Sequence, residues 1–292
     1  MAEHRGWIST NDGLGGTAAI PGTDEGRPQV SRMYDYYLGG RHHFAADRKA
    51  ADEMLRVAPG AVVFARASRR FLQVAVEHLV REEGVAQLLD LGTGIPTEPS
   101  THQLAQHHRR EARVLYVDND PAVLPYARAL LTSTPEGRVD YVEADVRHPE
   151  QLREHPCLAG LEPVLDLRRP VGVIASALLH FLGDEERPGE LLRRLLAPLA
   201  PGSFLVLSHV TSDFVPDVME RVSDMYRSRH LPTIPRSRAR IEELVADSGA
   251  ELVAPGIQPV NRWWPERPAT LAPIPLCTDA EASAYGLLAR KP

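Results

Sequence analysis

Cysteine is nearly missing from this chain of 292 residues: Cys157 and Cys277 stand alone and far apart. Neither has a CxxC or other metal-ligand spacing, which excludes a disulfide framework and the common zinc signatures. Histidine does not fill the gap. There are 12, but His42–His43 and His107–His108 are adjacent pairs, and two ligands on one helix face need a spacing of four. No metal is expected. Long apolar runs are lacking too: none approaches the ~20 residues of a membrane span. Met1 to Gly26 has no apolar stretch of the kind a signal peptide carries. These absences lead to the expectation of a cytoplasmic protein without a membrane partner. Surplus positive charge is also absent, with 33 Lys and Arg against 39 Asp and Glu and a net charge of -6. Nucleic-acid binding is disfavoured, because it rests on a basic surface. Lysine occurs only as Lys49 and Lys291, which reads as compositional bias.

What remains is ordinary globular composition, 43% hydrophobic and 25% charged. Residues 1–27 are polar, glycine-rich and without periodicity, and read as a disordered tail. Residues 28–84 turn helical, with Pro59–Gly60 between two helices, and read as a helical cap. From residue 85 short apolar runs alternate with helical segments. Strands are expected at Gln87–Leu91, Arg113–Val117, Val139–Glu143, Val171–Ser176, Ser203–Ser208, Glu251–Pro255 and Ala284–Leu288. Helices are expected near 100–109, 121–131, 149–155 and 185–198, with a helical insertion at about 211–248. This pattern predicts an α/β, Rossmann-like core over 85–292, a mostly parallel seven-stranded sheet with helices on both faces.

The densest chemistry is Asp90-Leu91-Gly92-Thr93-Gly94-Ile95-Pro96-Thr97, a strand end running into a glycine turn. Glycines permit positive φ and close approach of a ligand, and ligands of such sheets sit beyond the carboxyl ends of the strands. A dinucleotide fingerprint would place its third glycine at Thr97. It fails there, and Pro96 and Pro99 extend the loop, so the next helix is expected from Ser100 with Gln103 completing a capping box. A ligand with ribose but no pyrophosphate fits better, and a nucleotide-dependent oxidoreductase is disfavoured. Asp118 ends the second strand, where a carboxylate accepts from ribose hydroxyls. Asp120, before Pro121, is the better helix cap. Asp145 could accept from an adenine amino group while Val146 packs on the ring. The fourth strand ends at Ser176, beside the same crevice.

Strand–acid–Gly-x-Gly, strand–Asp118, Ala144-Asp145-Val146 and Pro201-Gly202 before a fifth strand resemble class I S-adenosylmethionine-dependent methyltransferases. Arg32-Met33-Tyr34-Asp35-Tyr36-Tyr37-Leu38-Gly39-Gly40, Phe44–Arg48, Asp90–Thr97, Val117–Pro121 and Tyr285–Pro292 are similar to the actinobacterial DUF574 family, from about residue 28 to the end. The resemblance implies S-adenosylmethionine as cofactor. Asp90, Gly92, Thr93 and Gly94 would then line its methionine part, Asp118 and Asn119 its ribose, Asp145 and Val146 its adenine, and Ser176 its sulfonium. Tyr34 with Gly39–Gly40 would form a lid. The chain departs from that pattern at Arg41-His42-His43, where Lys-Asp-Asn is expected.

His180, after the fourth strand, and His209, after the fifth, are candidates to accept a substrate proton; each also reads as a structural histidine. Tyr34, Tyr36 and Tyr37 read as packing or as a cover over the cofactor. Trp263-Trp264-Pro265 either lines an apolar pocket or covers the sheet. Arg227, Arg229, His230, Arg236, Arg238 and Arg240 read as a solvated face rather than an anion site. A sulfonium methyl is already activated, so no triad is required. The expectation is a methyltransferase for an unidentified small molecule. The alternative is a non-catalytic regulatory protein binding S-adenosylmethionine or S-adenosylhomocysteine, and a homodimer is open in either case.

Overall fold

The computed structural model describes residues 24–121, 123–130, 132–229, 233–263 and 277–292. Most of the tail expected over 1–27 lies outside the described residues, as do His230, Trp264 and Pro265.

The described chain begins with three helices, α1 (Val30–Leu38), α2 (Ala45–Val57) and α3 (Ala61–Arg81). Alternation then sets in: β1 (Gln87–Leu91), α4 (Thr101–His108), β2 (Arg113–Asp118), α5 (Val123–Leu130), β3 (Arg138–Glu143), α6 (Pro149–Glu154), α7 (Pro156–Ala159) and β4 (Gly172–Ser176). Two 3-10 turns, Leu179–Phe181 and Asp184–Glu186, lead to α8 (Pro188–Leu196) and β5 (Phe204–Val210). The helical pair α9 (Pro216–Ser228) and α10 (Arg238–Ser248) follows. The chain finishes with β6 (Glu251–Leu252), β7 (Gln258–Pro259), α11 (Asp279–Ala282) and β8 (Ala284–Arg290).

The strand order is β3-β2-β1-β4-β5-β8-β6, with β7 also on β8. Strands β1 to β5 are parallel, and β8 is antiparallel to β5. Eight strands replace the seven expected because the run expected over Glu251–Pro255 is divided. It stops at Leu252: Pro255 has no N–H to donate, and the chain turns at Gly256. It pairs again at Gln258–Pro259, against Tyr285 and Gly286 farther along β8.

Period two places alternate side chains on opposite faces, and both faces are buried. Leu89, Leu115, Val117, Val173, Leu205 and Leu207 pack with α8 and α10 on one side. Leu88, Val114, Tyr116, Ile174 and Val206 pack with α3 and α4 on the other. This double burial is why the strands read as unbroken apolar runs. Helix α3 lies so close to the sheet that a Cβ at Gly286 would stand 2.6 Å from the Phe71 ring.

The segment 28–84 is thereby divided. From Ala67 onward α3 belongs to the sheet layer, whereas α1, α2 and Ala65 form a separate cluster with Val222 of α9. A buried ion pair pins α1 to α2. The Asp47 carboxylate accepts from Arg32 Nε at 2.8 Å and from the backbone N–H groups of Gln29 at 2.9 Å and Phe44 at 2.8 Å.

Candidate functional site

Strand β1 hands the chain toward β2 and β3, and β4 toward β5, so the order reverses between β1 and β4. A crevice at the carboxyl ends follows from that reversal. A cavity of about 710 Å³ occupies it, lined by Asp90, Gly92, Thr93 and Gly94 after β1. Asp118 and Asn119 join from β2, Asp145 and Val146 from β3, Ser176 from β4, and Tyr34 from α1.

The turn is held open by its glycines. Gly92 and Gly94 both have φ of 61°, a region that residues with a Cβ enter only with strain. At Gly92 a Cβ would also come within 2.5 Å of Leu178. Asp118 locks the turn: it accepts from the Gly94 N–H at 2.7 Å and from the Asp120 N–H at 2.9 Å. Each carboxylate oxygen has a second lone pair for another donor. Burial pushes the Asp118 carboxyl up to about 6, against the opposing pull of those N–H groups. Asp90 is also raised to about 6 by burial, opposed by the Thr101 hydroxyl, which donates to it at 2.7 Å, and by the charge of Arg69. Helix α4 begins behind this loop as expected, with Gln103 Oε1 accepting from the Ser100 N–H at 2.7 Å.

Asp145 is half-buried and already engaged, because Arg147 Nε donates to both its oxygens at 2.9 Å. Burial works against its charge, yet the bonds to Arg147 outweigh it and hold the carboxyl below the usual range. At β4 the Ser176 and Ser208 hydroxyls share a hydrogen bond of 2.9 Å. The following residue, Ala177, has φ of 53°. Ser208 secures this costly conformation by accepting the Ala177 N–H with its hydroxyl at 2.9 Å.

Gly40 is not part of the cavity. A Cβ there would lie 2.0 Å from Asp35 Oδ1. The Asp35 carboxylate meanwhile accepts from the His42 N–H at 2.8 Å and contacts His43 Nδ1 at 3.0 Å. The glycine makes room for a clasp closing the α1–α2 loop, which corrects its expected place in a lid. The histidines thus help build that clasp where Lys-Asp-Asn was expected. Tyr34 does reach the cavity; its hydroxyl donates to the Ala65 carbonyl at 3.0 Å. Tyr36 instead turns to Asp52 at the surface.

The profile of a family described as S-adenosyl methyltransferase matches residues 17–292. The chain belongs to that family. It is similar to a DUF574 family protein from Streptomyces avermitilis, with 42% identity, 91% of this chain and 98% of the other covered, and a TM-score of 0.83. It is also similar to a candidate methyltransferase from Thermobifida fusca, with 34% identity, coverage of 93% and 97%, and a TM-score of 0.81. An O-methyltransferase family protein from Burkholderia thailandensis shares the fold at 14% identity, a TM-score of 0.50 and coverage of 88% and 63%. No curated protein matches the chain. The cofactor of this family is S-adenosylmethionine. Its site suits the group: a glycine turn open to a cavity, and a buried carboxylate with unused lone pairs at the end of β2.

The two candidate bases differ. His209 is fully buried and does not line the cavity. Arg236 contacts His209 Nε2 at 3.1 Å, and a guanidinium only donates, so Nε2 is the acceptor. Nδ1 is then the donor to the Val210 carbonyl at 2.7 Å. With both nitrogens used, His209 has no lone pair for a substrate proton, which corrects its candidacy. His180 lines the cavity, and its Nδ1 has no hydrogen-bond partner.

Arg236 departs from the solvated face expected of its cluster. It is buried and also bonds the carbonyls of Leu179 and Leu182 and the Asp184 carboxylate. Arg227 and Arg240 do pair with acids on their own exposed helix faces. Trp263 packs edge-on against Phe71 beneath the sheet, away from the cavity. Among the described residues no cluster of ligating side chains could hold a metal, and no helix is long and apolar enough to cross a membrane.

The sequence reading missed Arg69, Phe64 and Thr233, which also line the cavity. Arg69 braces the turn by donating to the carbonyls of Thr97 and Pro99 at 2.6 Å each. A lone arginine on an amphipathic helix carries no signal of that contact.

Proposed function

We propose that the protein is a methyltransferase acting on a small molecule. The observation that carries this reading is the continuity of one cavity from the acidic glycine turn to a chamber walled by α2 and α9. Cofactor and acceptor would meet in it without a further opening. Bound S-adenosylmethionine supplies a methyl group already activated for displacement.

In this reading Asp118 and Asn119 hold the ribose. Asp90, with the open backbone of Gly92, Thr93 and Gly94, faces the charged methionine end. Asp145 and Val146 hold the adenine, and Asp145 must share its carboxylate with Arg147. Ser176 and the constrained Ala177 shape the floor at the reacting end. Tyr34 lies over the site. The residues orient the reactants and exclude water, which suffices when the nucleophile carries no proton to remove.

A second reading, a non-catalytic protein that binds the cofactor, draws on one observation. His209 is sealed, and burial holds His180 well below the usual imidazole range, so neither is a strong base. Transfer of a labelled methyl group from S-adenosylmethionine into a small-molecule extract distinguishes the two. A labelled product that disappears in Gly92→Ala supports the enzyme. Tight cofactor binding with no label transferred to any fraction supports the binder.

A further inference from the structure

Beyond the carboxylates the cavity changes character. Rings follow one another around its far wall: Phe64 meets His180 with centroids 6.2 Å apart, His180 meets Phe181 at 4.2 Å, and Phe181 meets Tyr226 at 6.3 Å. Tyr37 stands in the same cluster as Tyr226, with Met54, Val218 and Val222 filling between. Three polar atoms in this wall have no hydrogen-bond partner: the Tyr37 hydroxyl, His180 Nδ1 and the Thr233 hydroxyl. All three residues line the cavity, and they are only 6%, 3% and 8% exposed. The Ile234 N–H donates to the His180 carbonyl at 2.7 Å, which sets Thr233 next to the histidine. Buried polar groups left without partners are costly, and a cluster of them on one cavity wall is the mark of a site that a ligand completes.

Apart from Glu281, the charge on the cavity lining lies at the other end. The charged residues lining the cavity are Arg69, Asp90, Asp118, Asp120, Asp145 and Arg147, at the glycine turn and strand ends, and Glu281, which bonds Thr278 of its own helix cap. Among the described residues the ringed wall contributes none. The cations nearest that wall, Arg229 beside Tyr37 and Tyr226 and Arg236 beside His180, do not line the cavity and are already paired with Glu53 and Asp184, so an ionised acceptor would lose its water without gaining an unpaired counter-charge. Burial, together with the neighbouring His209 and Arg236, also keeps His180 neutral, so its imidazole offers one donor and one acceptor.

We infer that this chamber is the methyl-acceptor site, and that its acceptor is an uncharged, flat aromatic molecule bearing a neutral hydrogen-bonding group such as a ring hydroxyl, met by Tyr37, His180 and Thr233. The inference rests on the reading that the carboxylate end takes the cofactor.

The test uses three probes of one shape: 2-naphthol, naphthalene and 2-naphthoate, titrated by ligand-observed NMR into full-length protein saturated with S-adenosylhomocysteine. Naphthol should bind about tenfold more tightly than the charged naphthoate, and more tightly than naphthalene. Val222→Trp, which fills the chamber, should weaken naphthol by about tenfold or more while S-adenosylhomocysteine binds within about threefold of wild type. Tyr37→Phe and Thr233→Val should narrow the preference for naphthol over naphthalene. If Val222→Trp does not fold, Val218→Trp and these two polar variants carry the same comparison. Naphthoate binding as well as naphthol would overturn the inference. So would naphthol binding that is undetectable in wild type or indifferent to a filled chamber. Failure of the cofactor reading appears separately, as wild-type protein that does not bind S-adenosylhomocysteine; naphthol titrated into the free protein then still tests the chamber.

Discussion

Replacing Asp118 by alanine tests the centre of the proposed cofactor site. The carboxylate anchors the turn through the N–H groups of Gly94 at 2.7 Å and Asp120 at 2.9 Å, and in the proposed complex it also accepts from the ribose hydroxyls. A hydrogen bond to a charged group contributes about 1.5–3 kcal/mol, and part of that returns when water enters the space left behind. Loss of two such bonds should therefore weaken S-adenosylhomocysteine binding by about 2–4 kcal/mol, roughly 30- to 1,000-fold. Isothermal titration at pH 8, where the carboxylate is ionised, measures this directly. Asp118→Asn keeps one acceptor oxygen but points its amide donor at one of the two anchoring N–H groups, so it should fall between wild type and alanine.

Anchoring the turn and touching the ribose are different roles, and a mutant cycle with a 2′-deoxy analogue of the ligand separates them. Direct contact requires that removing the hydroxyl cost much less in Asp118→Ala than in wild type, with a coupling of about 1 kcal/mol or more. Asp118→Ala binding within threefold of wild type would refute the ribose assignment altogether. Weak binding with no coupling would leave Asp118 as a brace for the turn alone.

Two further outcomes follow from the same geometry. Asp90 and Asp118 each titrate near 6 in the folded protein, so both are protonated below that pH and lose charge and acceptor capacity. Affinity for S-adenosylhomocysteine should be flat above about pH 7 and fall as pH drops through 6, by up to about tenfold per unit for each group; a flat profile down to pH 5 would contradict it. Arg236→Met should destabilise the protein by about 2–4 kcal/mol, because it strands the buried carbonyls of Leu179 and Leu182 and the lone pair of His209. The exposed Asp184 partner adds little to that figure. Urea denaturation checks it, and an unchanged midpoint would show that the clamp is dispensable.

The sheet was legible because burial on both faces leaves a plain trace. Leu88–Leu91 and Val114–Val117 are apolar at every position except the acid that enters the site or the aromatic that packs on a helix. The cap at Ser100 and Gln103 was legible because its partners lie three residues apart. Where partners are far apart in sequence, residue type misled. His209 looks like a base until Arg236, 27 residues on, takes its lone pair. Gly40 looks like part of a lid until Asp35 folds back beneath it. The weak pairs β6 and β7 were blurred because two residues, some of them exposed, leave no alternation to read.

The chamber follows from what the sheet alone cannot do. An open parallel sheet offers a crevice at its carboxyl ends but no roof, so bound cofactor would remain in water. Helices α1, α2 and α9 supply the cover, and they do so as one body, through the cluster around Met33, Tyr37, Met54 and Val222. That body is tied to the sheet at the glycine-turn end. The Ser31 hydroxyl of α1 donates to the Asp120 carboxylate at 2.7 Å, and the Asp120 N–H donates to Asp118 at 2.9 Å. One short chain of contacts thus runs from the roof to the carboxylate assigned to the ribose. Tyr34 and Tyr37 sit on the same helix as Ser31, at the proposed cofactor end and in the ringed wall respectively. The position of α1 therefore bears on both halves of the cavity at once, which a merely stabilising N-terminal segment would not require.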